Sequence, residues 1–231
     1  MKTTFKKYSI AFLVILGLTP MIGANDFTDQ TLKQVEEHVE KLLGNGFTAE
    51  QILLVLDVDG TLTNYSDPDD HKNDKPFGAR GNATNFVTGM VNSGVQVVVS
   101  SAWDKFEDTL GRLEKIGLSE ALNVNRNDIK CNNDELELNN KIFKLNYCKV
   151  GFVASVMDVD FNSIFYRQKA FAFKYVYPEM DMTQIKHVVF ADDSGGNIKI
   201  FKEDIERSQL FPMAHIDTFL LSLAEGQPDL E

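Results

Sequence analysis

Two carboxylates stand one residue apart in Leu56-Asp57-Val58-Asp59-Gly60-Thr61, within and just after a nearly continuous apolar run from Ile52 to Val58. In an extended chain, residues i and i+2 point to the same face, and a turn at Gly60 could bring both carboxylates to one reacting centre. One of them can attack an electrophile while the other handles the proton of the leaving group. A second acidic pair, Asp192-Asp193, also closes an apolar run, Val188 to Ala191. Gathered in one place, these carboxylates would repel each other strongly unless a cation joined them. Oxygen-only ligation suits Mg²⁺. Such an ion would also neutralise the charge that otherwise keeps a phosphate away from a carboxylate nucleophile. An arbitrary Asp-x-Asp is usually a solvated turn, so the elements around this one decide its meaning.

Those elements alternate. Thr28 to Leu43 has the spacing of an amphipathic helix, with Leu32, Val35, Val39 and Leu42 on one stripe. Ile52 to Val58 and Val95 to Val99 have the unbroken apolar character of strands buried on both faces. A helical stripe at Phe86, Val87, Met90 and Val91 lies between them, and another at Phe106, Leu110, Leu113 and Ile116 follows. Short β-like runs occur at Ile142-Phe143, Val150 to Val156 and Ile164 to Tyr166. A helix is expected over Gln168 to Tyr175, a strand over His187 to Ala191, a helix from about Asn197 and a last strand over Leu210 to Ile216. This alternation predicts an α/β fold with a mostly parallel sheet and helices on both faces. Ligands in such sheets bind beyond the carboxyl ends of the strands. Asp57, Asp59, Ser100, Asp192 and Asp193 all fall at such ends.

Lys2, Lys6 and Lys7 precede an apolar run from Ile10 to Leu18, and Ile22-Gly23-Ala24 offers a cleavage site before Asn25. Residues 1–24 therefore read as an export signal, whose apolar run is far short of the roughly 20 apolar residues of a membrane span. The expected location is secreted or periplasmic, with no stable membrane insertion after cleavage. Without the three leader lysines, 20 basic residues face 34 acidic ones. That balance argues against a nucleic-acid duplex as partner. Cys131 and Cys148, the only cysteines, are candidates for a disulfide in an oxidising compartment, or else two separate buried thiols.

Leu53 to Thr63 (LLVLDVDGTLT) resembles the first motif of the haloacid-dehalogenase-like superfamily, apolar strand included. Val97-Val98-Val99-Ser100 resembles the second, a Ser or Thr that ends the next strand, with Ser101 as the alternative. Val188 to Asn197 (VVFADDSGGN) is similar to the fourth. The third, a lysine opening the helix before that strand, falls on Lys169, with Lys174 as the alternative; the family's usual glycine after it is Ala170 here. The motifs stand in the family's order across roughly residues 50–216.

The resemblance implies a Rossmann-like hydrolase domain over 25–231, with small cap elements: a flap at about 64–81 and an insert at about 119–166. It implies a Mg²⁺-dependent phosphomonoesterase. Asp57 would attack phosphorus and form an aspartyl-phosphate, while Asp59 would protonate the departing alcohol and later activate water. Asp57, Asp193 and the backbone carbonyl of Asp59 would hold Mg²⁺, with Asp192 binding the metal or orienting its waters. Ser100 and Lys169 would hold the phosphoryl oxygens, and Thr61 would orient the nucleophile loop. A dehalogenase has no leaving oxygen to protonate, and the family's transport ATPases carry Lys in place of Asp59, so phosphate monoesters are the expected substrates. They could be small molecules or phosphoproteins. The competing expectation is a catalytically silent binding or effector protein on the same fold.

Overall fold

The computed structural model describes residues 31–64, 77–101, 106–122, 130–138, 141–150, 153–158, 169–170 and 181–221, with the backbone alone at 106–107 and within 130–158. The leader, the centre of the expected flap, the strand expected at 164–166 and all but residues 169–170 of the helix expected at 168–175 lie outside the described residues.

In chain order the elements are α1 (Leu32–Gly44), β1 (Ile52–Leu56), α2 (Ala83–Asn92), β2 (Gln96–Ser101), α3 (Phe106–Lys115), α4 (Leu118–Ala121), β3 (Lys130–Leu138), β4 (Lys141–Val150), β5 (Val153–Asp158), β6 (His187–Asp192), α5 (Gly195–Ser208) and β7 (His215–Leu220). α1 starts at a reciprocal cap: the Gln34 amide donates to the Thr31 hydroxyl at 3.4 Å, and the Thr31 amide donates to the Gln34 side chain at 2.8 Å. Its buried stripe is Leu32, Val35, Val39 and Leu42.

The strands form one seven-stranded sheet in the order β3-β4-β5-β2-β1-β6-β7. From β5 to β7 all neighbours are parallel. β4 and β3 extend the β5 edge antiparallel. This is an α/β fold, and its period of two explains why β1 is apolar throughout. Ile52, Leu54 and Leu56 enter a core shared with α1, α2, α3 and α4. Leu53 and Val55 enter a second core on the other face, with Ile198, Phe201 and Ile205 of α5. A strand covered on both sides has no position to give to water.

The parallel strands start in the middle. The chain runs from β1 outward to β2 and β5, then returns to β6 and β7 on the other side. The reversal falls between β1 and β6, and at such a reversal the loops leaving the two strands part in opposite directions and open a crevice. Asp57 follows β1 directly, and Asp192 ends β6.

Two expectations need correction. The last strand is His215–Leu220, not Leu210 to Ile216. Gln209 ends α5 in a left-handed conformation (φ 52°), and buried Phe211 fills the second core from the following turn, so its apolarity does not mark a strand. α5 begins at Gly195, two residues before Asn197, because Ser194 supplies the cap. The described part of residues 119–166 includes β3, β4 and β5, which form one end of the sheet.

At the opposite end of the sheet, Asp217 fastens α1 to its edge. Its carboxylate lies 3.2 Å from His38 of α1, 3.1 Å from His187 of β6 and 3.3 Å from His215 of β7. Burial opposes the charge of Asp217, but the histidines outweigh it and hold the carboxyl below its ordinary range. Among the described residues no helix is long and apolar enough to cross a membrane.

Cys131 and Cys148 are directly paired in the β3–β4 register. Opposed residues of an antiparallel ladder have Cα atoms about 4.5–5.5 Å apart, inside the roughly 4.4–6.8 Å span of a disulfide. Protein from an oxidising compartment should therefore give, on non-reducing digestion, one peptide joining the two cysteines. Two freely alkylated thiols in that protein would contradict the pairing.

Candidate active site

β1 delivers Asp57 to the crevice. The Asp57 amide continues the ladder by donating to the Ala191 carbonyl at 3.0 Å, which sets it beside the end of β6. Asp57 and Asp192 are buried and Asp193 is half-buried; their carboxylate oxygens come within 4.8 Å of one another. The Lys169 ammonium, itself 1% exposed, donates to Asp57 and, at 2.7 Å, to Asp192 Oδ2. Two of the three carboxylates thus share one buried ammonium. Lys169 and Ala170 form a turn, and Lys174 lies outside the described residues.

The charges are costly where they sit. Burial, with the charges of Asp192 and Asp193, pushes the Asp57 carboxyl well above the ordinary range against the pull of Lys169. Burial first and Asp192 second push Asp193 up to about 6. Burial works against the Lys169 charge too, yet the two carboxylates outweigh it and raise its pKa.

Asp192 is held from the start of α5. Its Oδ1 accepts from the Ser194 amide at 2.8 Å and the Asn197 side chain at 3.0 Å, and its Oδ2 accepts from Asn197 at 3.2 Å as well as from Lys169. Ser194 caps the same helix by accepting from the Asn197 amide at 3.4 Å. Asp192 therefore has donors on both oxygens.

Gly60 has φ +75°, and a Cβ there would run into the Asp193 carboxylate. Only glycine satisfies both the left-handed backbone and the close approach. The loop from 57 to 63 winds around the Val58 carbonyl, which accepts from the amides of Leu62 at 2.9 Å and Thr63 at 3.0 Å. The brace within it is Thr63, not the expected Thr61. The Thr63 hydroxyl donates to Val58 at 3.2 Å and accepts from the Gly60 amide at 3.3 Å. Arg80 latches the loop from outside, through Nη1 to the Gly60 carbonyl at 2.7 Å and its amide to Leu62 at 2.9 Å.

Thr61 and Ser100 are buried, and neither hydroxyl has a partner among the described residues. An orphaned buried polar group costs roughly 1–3 kcal/mol, so these hydroxyls are suited to a polar ligand that satisfies them.

Asp59 finds its partner on α3. Its Oδ2 accepts from Arg112 Nη1 of α3 at 2.6 Å, with the side chains 16% and 4% exposed. Burial pushes the Asp59 carboxyl up to about 6 against the pull of Arg112. Sequence reasoning missed Arg112, although the signal was present. Thr109, Arg112, Leu113 and Ile116 share one helical face, and a charge on a buried stripe calls for a buried partner. It also missed Asn197 and the latch formed by Arg80.

Comparison of the chain with protein-family models, curated proteins and solved structures finds no match in any of the three. The chemistry of the site must be argued from its own residues. The oxygen-only donor set of Asp57, Asp192 and Asp193, with excess negative charge, fits a hard divalent cation such as Mg²⁺.

The raised carboxyls fix the sign of the pH dependence. A group whose folded pKa lies above its unfolded value favours folding below that window and loses the contribution as pH rises through it. For Asp59 and Asp193 the window runs from 3.8 to about 6. Mg²⁺ binding requires the ionised ligands and should offset that loss. At one fixed concentration, a hundredfold above the Kd at pH 7.5, Mg²⁺ should raise Tm by about 5–10 °C near pH 7.5 and by much less near pH 5. Equal shifts at both pH values, or none, would contradict this assignment.

Proposed function

We propose that the chain is an exported Mg²⁺-dependent phosphomonoesterase of the haloacid-dehalogenase-like type, acting through an aspartyl-phosphate on Asp57. The observation that carries the reading is convergence. Asp57, Lys169 and the Asp192-Asp193 pair, from three distant stretches of the sequence, meet in one largely buried cluster beside the reversal of a parallel sheet. A random acidic turn would be solvated and would not gather a buried lysine.

The residues divide the work. Asp57 and Asp193, with the Asp59 carbonyl, would hold Mg²⁺, and Asp192 would complete the set or orient it from its anchored position. When bound, the ion offsets the repulsion between a phosphate and a carboxylate nucleophile. An oxygen of Asp57 attacks phosphorus as the ester P–O bond breaks, and the departing oxygen takes a proton from Asp59. Asp59 then accepts a proton from the water that attacks the aspartyl-phosphate, which releases phosphate and restores Asp57. The Thr61 and Ser100 hydroxyls gain in the phosphoryl oxygens the partners they otherwise lack. Lys169 keeps the Asp57 nucleophile in place and offers its remaining donor capacity to the same oxygens.

The purified mature chain should hydrolyse 4-nitrophenyl phosphate with Mg²⁺ and lose the activity on chelation. Asp57→Asn should lower kcat by at least about 1,000-fold while leaving the fold intact. A folded, Mg²⁺-loaded wild type without phosphatase activity on aryl, sugar, nucleotide or peptide phosphates would contradict the proposal. So would an active Asp57→Asn.

A further inference from the structure

Asp59 presents its two oxygens to different surroundings. Oδ2 is taken by Arg112 at 2.6 Å. Oδ1 is buried and has no hydrogen-bond partner among the described residues. A carboxylate with one oxygen clamped and the other enclosed and unpartnered is fixed in rotation, with a single lone-pair edge to offer. The clamp comes from α3, an element outside the nucleophile loop, and the 4% exposure of Arg112 shields the pair from competing water. Arginine suits this position because its planar fork holds direction, where a lysine ammonium acts as a point charge.

We infer that Arg112 is the positioning residue for the acid–base carboxylate: it holds Asp59 so that Oδ1 alone meets the leaving-group oxygen. The inference rests on the phosphatase reading and deepens it. In the first step the Asp57 oxygen–phosphorus bond forms and the ester P–O bond breaks. The bonding pair stays on the leaving oxygen, which takes the proton from Oδ1. The Asp59 carboxylate left behind is stabilised by the guanidinium on Oδ2. In the second step the oxygen of water bonds to phosphorus, the Asp57–phosphorus bond breaks, and the water proton returns to Oδ1. Arg112 touches neither phosphorus nor leaving group. It acts by aiming Asp59 and by stabilising its ionised form.

The leaving group therefore sets how much Arg112 matters. A 4-nitrophenolate departs without help, whereas an alkoxide needs its proton. Arg112→Met and Arg112→Lys should be compared with wild type on 4-nitrophenyl phosphate and on an alkyl phosphate such as glycerol 2-phosphate. Removing a general acid typically costs about 10²–10⁴-fold. Arg112→Met should lose about 100-fold in kcat/KM, which reports the first step alone, on the alkyl ester and less than about 5-fold on the aryl ester, with Arg112→Lys between it and wild type. The ratio of the two rates within one preparation is independent of the fraction folded, so partial unfolding cannot imitate the result. Equal losses on both esters would overturn the inference and leave the phosphatase reading standing. A wild type inactive on both esters would remove that reading and the inference with it.

Discussion

Like charges buried together govern this molecule. Asp57, Asp192 and Asp193 bring their oxygens within 4.8 Å where water is largely excluded. In a low dielectric such a group either takes up protons or gathers cations. The chain supplies Lys169, whose ammonium bridges Asp57 and Asp192. One ammonium cannot balance three carboxylates, and burial first, then their mutual repulsion, pushes Asp57 and Asp193 up. A site that is poorly balanced alone is well suited to a divalent ion and then to an anionic substrate. That frustration is the physical content of the proposed function.

The fold makes the crowding possible. Parallel strands send their carboxyl ends the same way, and the reversal between β1 and β6 leaves a crevice where the two sets of loops separate. The β1–β6 register matches Leu56 with Ala191, so the residues that follow must meet. Gly60 lets the nucleophile loop turn under the Asp193 carboxylate, and Thr63 and Arg80 hold it there. The two cores, one on each face, hold the strands rigid beneath the site. At the far end, Asp217 and its three histidines tie down α1 without entering the chemistry.

Much of this was legible in the sequence because it follows from short-range pattern. Continuous apolar runs marked β1, β2 and β6, and the α1 stripe marked its buried face. The carboxylates at strand ends could be named because a parallel sheet aligns those ends. What escaped depends on contacts between distant segments. Arg112 stands on a buried stripe and so calls for a partner, but Asp59 lies 53 positions away and nothing local names it. Thr61 and Thr63 sit two apart in one loop, and only the path of the loop decides which hydroxyl braces it and which stays unpartnered. The apolarity of Leu210-Phe211 misled because a buried turn and a buried strand read alike over two residues. β7, the edge strand, was harder to see because its sequence, HIDTFL, mixes polar and apolar positions.

The central claim is that Asp57 bonds covalently to phosphorus during turnover, and trapping that bond tests it most directly. The protein would be quenched in acid during turnover of a phosphate ester, reduced with borohydride and digested. The account predicts that residue 57 is recovered as homoserine, the reduction product of an aspartyl-phosphate. Robust turnover with an unmodified Asp57, or with the modification at another carboxylate, would contradict it.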